Sequence, residues 1–183
     1  MIKVFPNFLT EDECYQLNQI TLLGISEGWV KPGLSRGYSN YQKRFTSRMH
    51  MIAVKYPNFV IEISNKIRKF LNLQNYPIIN NHGSSGVVTS ITFPGGDVYS
   101  HKDPRSITGY SSYRCNVMTQ KPEGGGKLYV DNEFIPINVG DLHCYYASEQ
   151  IHYVTEVVGN ISRILWMFGA YLPHEKFILE KNL

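Results

Sequence analysis

Apolar residues recur at helical spacing in the first third of the chain and in short alternating runs after it. In PNFLTEDECYQLNQITLL, Thr10 followed three residues later by Glu13 forms a capping box, and Phe8 and Leu9 stand where they can staple the helix start. Leu17, Ile20 and Cys14 mark the face this helix would bury. A second helix is expected from Pro57, because PNFVIEISNKIRKFLNL repeats apolar residues at Val60, Ile63, Ile67, Phe70 and Leu71. Between the two, the stretch from Lys31 to Tyr56 is irregular and basic. Lys31, Arg36, Lys43, Arg44, Arg48 and Lys55 interleave there with Tyr38, Tyr41 and Phe45. It reads either as a solvated loop with short strands or as a substrate-facing surface.

After residue 76 the pattern shortens to β-type runs. VVTSITF, VYSH, YRCNVMT, KLYV, EFIPI, DLHCYY, HYVTEVV and ISRILWMFGAYL are separated by PGGD, PEGGG, VDN, NVGD and VGN. Short strands at this spacing predict a mainly β (α+β) fold, a double-stranded β-helix or jelly-roll barrel packed by the N-terminal helices. Neither a sequence repeat nor a linker divides the chain. The expectation is a single domain over 1–183, with helical support over about 1–76 and a jelly-roll core over about 77–172.

Composition narrows the partners. At 183 residues and 43% hydrophobic content the chain can bury a core without disulfides or structural metal. A net charge of +3 is too small to argue for nucleic acid or a membrane surface. The three cysteines, Cys14, Cys115 and Cys144, form no C-x-x-C pair and no complete disulfide framework, so a reducing compartment is expected. With no signal-peptide core and no run of ~18 apolar residues, the expectation is a soluble cytoplasmic protein.

Candidate chemistry enters with Tyr99-Ser100-His101-Lys102-Asp103. Residues i and i+2 of a strand share a face, so His101 and Asp103 can grip one ion. An H-x-D alone arises easily by chance among six His and five Asp. A second histidine, His152, in a later strand raises the signal. Two imidazoles and one carboxylate on one face of an octahedron leave three positions open, the donor set of non-haem Fe(II) oxygenases. Eleven residues further on lies Arg163. If Gly159-Asn160 is a two-residue turn, Glu156 pairs with Arg163 and Arg163 emerges on the face of His152, ~13 Å along the sheet at ~3.3 Å per residue. A five-carbon diacid could span that gap, and a guanidinium suits its far carboxylate. The same register offers a plainer alternative, a cross-strand Glu156–Arg163 ion pair.

At these residues the chain resembles the 2-oxoglutarate/Fe(II) dioxygenase superfamily, in particular its prolyl-4-hydroxylase-like branch. FPGGDVYSHKDP resembles the strand carrying the H-x-D ligands. RCNVMTQKPEGGGKLYV resembles the following strand and Gly-Gly turn. NVGDLHCYYASEQIHYVTEVVGNISRILWMF resembles the strands carrying the distal His and the basic residue. The likeness covers roughly residues 86 to 172 and the PNFLTEDEC start. It implies His101, Asp103 and His152 as ligands of Fe(II), and Arg163 as partner of the distal 2-oxoglutarate carboxylate. O2 would be the oxidant, with ascorbate a candidate reductant. For a second contact to 2-oxoglutarate, Asn116 and Tyr99 are candidates, because Phe93 stands where related enzymes often carry a Tyr.

Departures from the pattern also inform. Asp103 is present, which favours hydroxylation over halogenation, and Gly169 stands where nucleic-acid demethylases carry a second Arg. Leu165 replaces the Ser that some branches place two residues after the Arg. His143 reads as a barrel-lining or outward residue, not a ligand. His50, His82 and His174 read as loop or surface residues, and Cys115 and Cys144 as small strand hydrophobes. Val117, Leu165 and Met167 are expected to wall a dry pocket. The implied substrate is a prolyl residue in a peptide or protein, with a free amino acid or small metabolite as the alternative. A cupin-like metal-binding module without turnover is the reading from another class.

Overall fold

The computed structural model describes residues 2–32, 43–47, 56–77, 87–105 and 107–181. Helix α1 (Glu11–Ser26) starts as its sequence dictates. Thr10 Oγ1 accepts from the Glu13 amide at 3.1 Å, and the Glu13 carboxylate accepts from the Thr10 amide at 2.8 Å. Glu11, Asp12 and Glu13 place negative charge at the positive end of the helix dipole. Cys14, Leu17, Thr21 and Gly24 are its buried positions, with Ile20 partly covered. Gly24 permits a tight return of the chain, since a Cβ there would meet the Trp29 and Val30 side chains at 2.6 Å. Helix α2 (Asn58–Phe70) follows Pro57 and buries Val60, Ile63 and Ile67. Phe70, at the margin of that face, is half exposed and meets Phe5 and Phe8 instead, at ring-centroid distances of 5.0 and 5.1 Å.

The strands are β1 (Lys3–Phe5), β2 (Val30–Pro32), β3 (Arg44–Ser47), β4 (Val88–Thr92), β5 (Val98–His101), β6 (Tyr110–Gln120) and β7 (Gly124–Gly125). They continue as β8 (Leu128–Val130), β9 (Glu133–Ile135), β10 (Leu142–Tyr146), β11 (His152–Val154), β12 (Val157–Val158) and β13 (Arg163–Pro173), followed by helix α3 (His174–Lys181). A large antiparallel sheet runs β1-β10-β6-β13-β4-β3-β2, a smaller one runs β5-β11-β8-β9, and β12 pairs with β7. This is the mainly β jelly-roll arrangement expected from the run of short strands.

Two apolar clusters follow from the sheet parity. On one face of the large sheet, Cys115, Val117, Cys144, Trp166 and Phe168 pack with Leu17, Val60, Ile63 and Ile67 of the helices. Trp166 Nε1 donates to the Leu17 carbonyl at 3.2 Å, and the Thr21 and Thr89 hydroxyls meet at 2.8 Å, which ties α1 to that face. On the other face, Met118, Tyr145 and Leu165 meet Val98, Leu128, Val130 and Val154 of the small sheet. Between the sheets lies the cavity described below.

Four sequence expectations change. Val117 faces the helices, not the pocket, because its neighbours Asn116 and Met118 have the opposite parity. The N-terminal part supplies β1, β2 and β3 as well as helices. Helix α3 had no signal, since none of its residues is buried. The Gly159-Asn160 hairpin does not form. HYVTEVV is broken at Thr155, which holds Lys127 by two hydrogen bonds of 3.0 Å, and β12 then pairs with β7 while β13 joins the large sheet. Glycine makes this possible, because a Cβ on Gly125 (φ 63°) would collide with the Glu156 carbonyl.

Of the basic segment from Lys31 to Tyr56, only Lys31, Pro32, Lys43 to Ser47 and Tyr56 fall among the described residues. Arg36, Tyr38, Tyr41, Arg48, His50 and Lys55, and also His82, lie outside them. Among the described residues, no helix is long and apolar enough to cross a membrane.

The capping box gives a direct test of the first helix. Thr10→Ala is expected to lower unfolding free energy by ~1 kcal/mol, read from the denaturant midpoint at unchanged slope.

Candidate active site

Two strand ends and the chain leaving one of them bring the donor set together. His101 closes β5, His152 opens β11, and the two are direct cross-strand partners with ring centroids 4.3 Å apart. Asp103 lies two residues beyond β5, where its amide donates to the Ala147 carbonyl at 2.8 Å. One donor atom from each of His101, Asp103 and His152 lies within 4.8 Å of the others, and among the described residues this is the one group of metal-binding type.

Each donor is oriented by a partner on its far side. His101 Nδ1 lies 2.8 Å from the Tyr99 carbonyl, and His152 Nδ1 lies 3.1 Å from the Gln150 carbonyl. A carbonyl can only accept, so Nδ1 is the donor in both rings, and a neutral ring held this way keeps its lone pair on Nε2. Arg114 donates from Nε and Nη2 to Asp103 Oδ2, each at 2.9 Å, which leaves Oδ1 facing His101 Nε2 at 3.6 Å. Burial alone would raise the pKa of Asp103. The Arg114 charge and the His101 contact outweigh it and hold the carboxyl well below its usual range. His152 is lowered to about 4, first by burial and then by the neighbouring His101. Burial thus favours the neutral imidazole at His152 beside an ionised Asp103, with Tyr145 edge-on to His152 at 5.1 Å.

These residues line a cavity of about 230 Å³ between the sheets. Val98, Leu128, Val154, Leu165 and Met167 supply its apolar wall. Arg163 lies on the large sheet, in register with Thr92 of β4, whereas His152 lies on the small sheet. They meet across the cavity, not along one hairpin. Glu156 is exposed, and among the described residues no carboxylate pairs with Arg163. Its Nε and Nη2 have no hydrogen-bond partner although the residue is only 2% exposed. Burial, then the charge of Arg44, lowers its basicity to about 10, so it remains a cation. A buried guanidinium without a counter-ion is costly, and a carboxylate ligand would relieve that cost.

Asn116 lines the same cavity, with Oδ1 unpartnered and its amide 3.5 Å from the Tyr145 hydroxyl. Tyr99 does not line it. Its ring, about half exposed, stacks on His101 at 4.8 Å. Cys115 and Cys144 pair across β6 and β10 on the helix side of the sheet. His174 is the first residue of α3, with Nδ1 2.9 Å from Ser111 Oγ.

Sequence reasoning missed Arg114 and Tyr145, and of its two readings of His143, barrel-lining or outward, the barrel-lining one holds. The signal was alternation. In β6, Arg114 and Asn116 alternate with Cys115 and Val117 and face the same side as their cross-strand partners Tyr145 and His143 in β10. His143 is fully buried, lines the cavity, and has both ring nitrogens unpartnered.

No protein-family model matches the sequence, and no curated protein matches it. Solved structures do. A viral collagen prolyl hydroxylase, vCPH from Paramecium Bursaria Chlorella virus-1, in complex with 2OG, aligns with TM-score 0.65 and 17% identity over 92% of this chain and 94% of that one. A prolyl hydroxylase from Trichoplax adhaerens, in complex with a hypoxia inducible factor oxygen degradation domain peptide, aligns with TM-score 0.66 and 16% identity over 97% and 86%. HygX from Streptomyces hygroscopicus, with nickel and 2-oxoglutarate bound, aligns with TM-score 0.62 and 14% identity over 94% and 82%. The chain thus has the fold of these proteins over nearly its whole length.

Two outcomes follow from the geometry. Arg114→Leu, which removes the group orienting Asp103, is expected to weaken divalent-metal binding about 10- to 100-fold, measured by calorimetry. The second concerns His143, whose basicity falls from 6.5 to about 3, chiefly by burial and then by Arg163. The unfolded chain then binds the extra proton at higher pH than the folded one. Stability from this group is present above about pH 6.5 and is lost as pH falls through that window. His143→Leu is expected to show a shallower decline of denaturant midpoint between about pH 7 and pH 4 than the parent.

Proposed function

We propose that this chain is an Fe(II)- and 2-oxoglutarate-dependent dioxygenase that hydroxylates an unactivated C–H bond. The observation that carries the reading is one cavity holding a His-Asp-His donor set and a buried arginine with no counter-ion among the described residues. Two imidazole nitrogens and a carboxylate oxygen fit Fe(II) and leave coordination positions open. His101 Nε2, Asp103 Oδ1 and His152 Nε2 would hold the iron. Iron bound there supplies the oxygen chemistry, in which 2-oxoglutarate and O2 give succinate, CO2 and a hydroxylated product.

The chain's own residues do the positioning. Arg163 takes the distal carboxylate of 2-oxoglutarate, and its fork fixes the orientation of the diacid. Arg114 keeps Asp103 ionised and turned toward the metal. The apolar wall of Val98, Leu128, Val154, Leu165 and Met167 excludes water and strengthens these charge contacts. A metal-binding module without turnover would have no use for the arginine.

For the acceptor we favour a prolyl residue in a peptide. Support comes from the prolyl hydroxylases that share the fold, one of them solved with a peptide fragment. A free amino acid or small metabolite is the second possibility to test.

Incubation with Fe(II), 2-oxoglutarate, O2 and ascorbate is expected to yield succinate, and proline-containing peptides are expected to raise the rate above free amino acids. Absence of both succinate formation and anaerobic 2-oxoglutarate binding, in metal-loaded protein, would sink the oxygenase reading. Asp103→Ala is expected to abolish iron-dependent turnover. Arg163→Ala should chiefly raise the KM for 2-oxoglutarate, because it removes binding to a part of the diacid that does not react.

A further inference from the structure

Resting on that reading, we infer that His143 is the second contact to the carboxylate held by Arg163. His143 lies on β10, inside the barrel, with 0% exposure and with neither ring nitrogen hydrogen-bonded. The Asp141 carbonyl acts on the ring, yet it lies outside hydrogen-bonding geometry for both nitrogens. Two orphaned polar atoms in a buried position leave a desolvation penalty unrelieved, and an apolar side chain would fill the same space without that penalty. The ring therefore marks a polar ligand.

Its surroundings specify the ligand's charge. Arg163 is the neighbouring charge that opposes protonation of His143, and its own Nε and Nη2 are equally unpartnered. A second metal ion beside that guanidinium is excluded by repulsion. An anion satisfies both groups. A carboxylate offers about four lone-pair sites, more than the guanidinium fork fills, and a neutral imidazole always carries one N–H to donate. Asn116, the cross-strand partner of His143, also lines the cavity but has its amide directed to the Tyr145 hydroxyl. His143 is thus the donor nearest in kind to a second carboxylate anchor. It would discriminate 2-oxoglutarate from 2-oxo acids that lack the distal carboxylate.

The test uses Zn(II)-loaded protein, with 2-oxoglutarate and pyruvate as calorimetric titrants. His143→Leu is expected to weaken 2-oxoglutarate binding about tenfold or more while leaving pyruvate binding unchanged. His143→Gln, which keeps a donor, should recover part of the loss. Equal weakening of both ligands, or no change in either, overturns the assignment. In the wild-type protein, the His143 imidazole resonances should move on addition of 2-oxoglutarate and stay fixed with pyruvate. Resonances that ignore 2-oxoglutarate overturn it even if neither variant folds. Failure of wild-type protein to bind 2-oxoglutarate sinks the oxygenase reading itself. Wild-type binding with an unaffected His143→Leu variant sinks the His143 contact alone.

Discussion

The antiparallel ladder between β6 and β13 fixes most of what this molecule can do. It pairs Leu165 with Met118 and continues to Pro173 with Tyr110, the longest pairing in the structure. Side chains alternate across such a ladder, so every residue on it is committed either to the helices or to the cavity. Trp166, Phe168, Cys115 and Val117 take the helix side and build the main core. Arg163, Leu165, Met167, Arg114 and Asn116 take the other side and build most of one cavity wall. A slip of one residue would exchange the two sets, burying Arg163 against α1 and α2 and exposing tryptophan to the cavity. The apolar core and the polar site are thus held in place by the same register.

The small sheet completes the site from the opposite side. The pairing of His152 with His101 puts two imidazoles side by side, and the chain leaving β5 adds Asp103. Charge then decides what the cavity can accept. Arg44, Arg114 and Arg163 line it, and among the described residues Asp103 is the single acidic lining group. Asp103 is engaged by Arg114, so Arg163 remains a buried cation awaiting an anion. Because neighbouring histidines are pushed toward neutrality by burial, they add lone pairs and N–H donors without adding charge. A divalent metal at one end and a dicarboxylate reaching the other would satisfy this imbalance.

Local signals in the sequence were strong wherever one face of an element meets water. The Thr10–Glu13 capping box, the spacing of Val60, Ile63 and Ile67, and the run of short strands all translated into structure. His101, Asp103, His152 and Arg163 do meet in one cavity, yet Arg163 arrives by a different route from the one its spacing suggested. The hairpin reading failed because Thr155 and the glycines at 124 and 125 divert the chain into a separate pairing. Tyr145 was illegible, and His143 was left between two placements, for another reason. All five residues of β10 are buried, since helices cover one face and the small sheet the other, so no alternation of polarity marks the inner side. Arg114 gained its meaning only from Asp103, a partner eleven positions away in sequence.

The most direct test is an anaerobic crystal structure of the protein with Fe(II) and 2-oxoglutarate. The account predicts iron bound by His101 Nε2, Asp103 Oδ1 and His152 Nε2, with the far carboxylate of the diacid against the Arg163 guanidinium. Iron at any other residues, or a diacid whose far carboxylate lies away from Arg163, would contradict it.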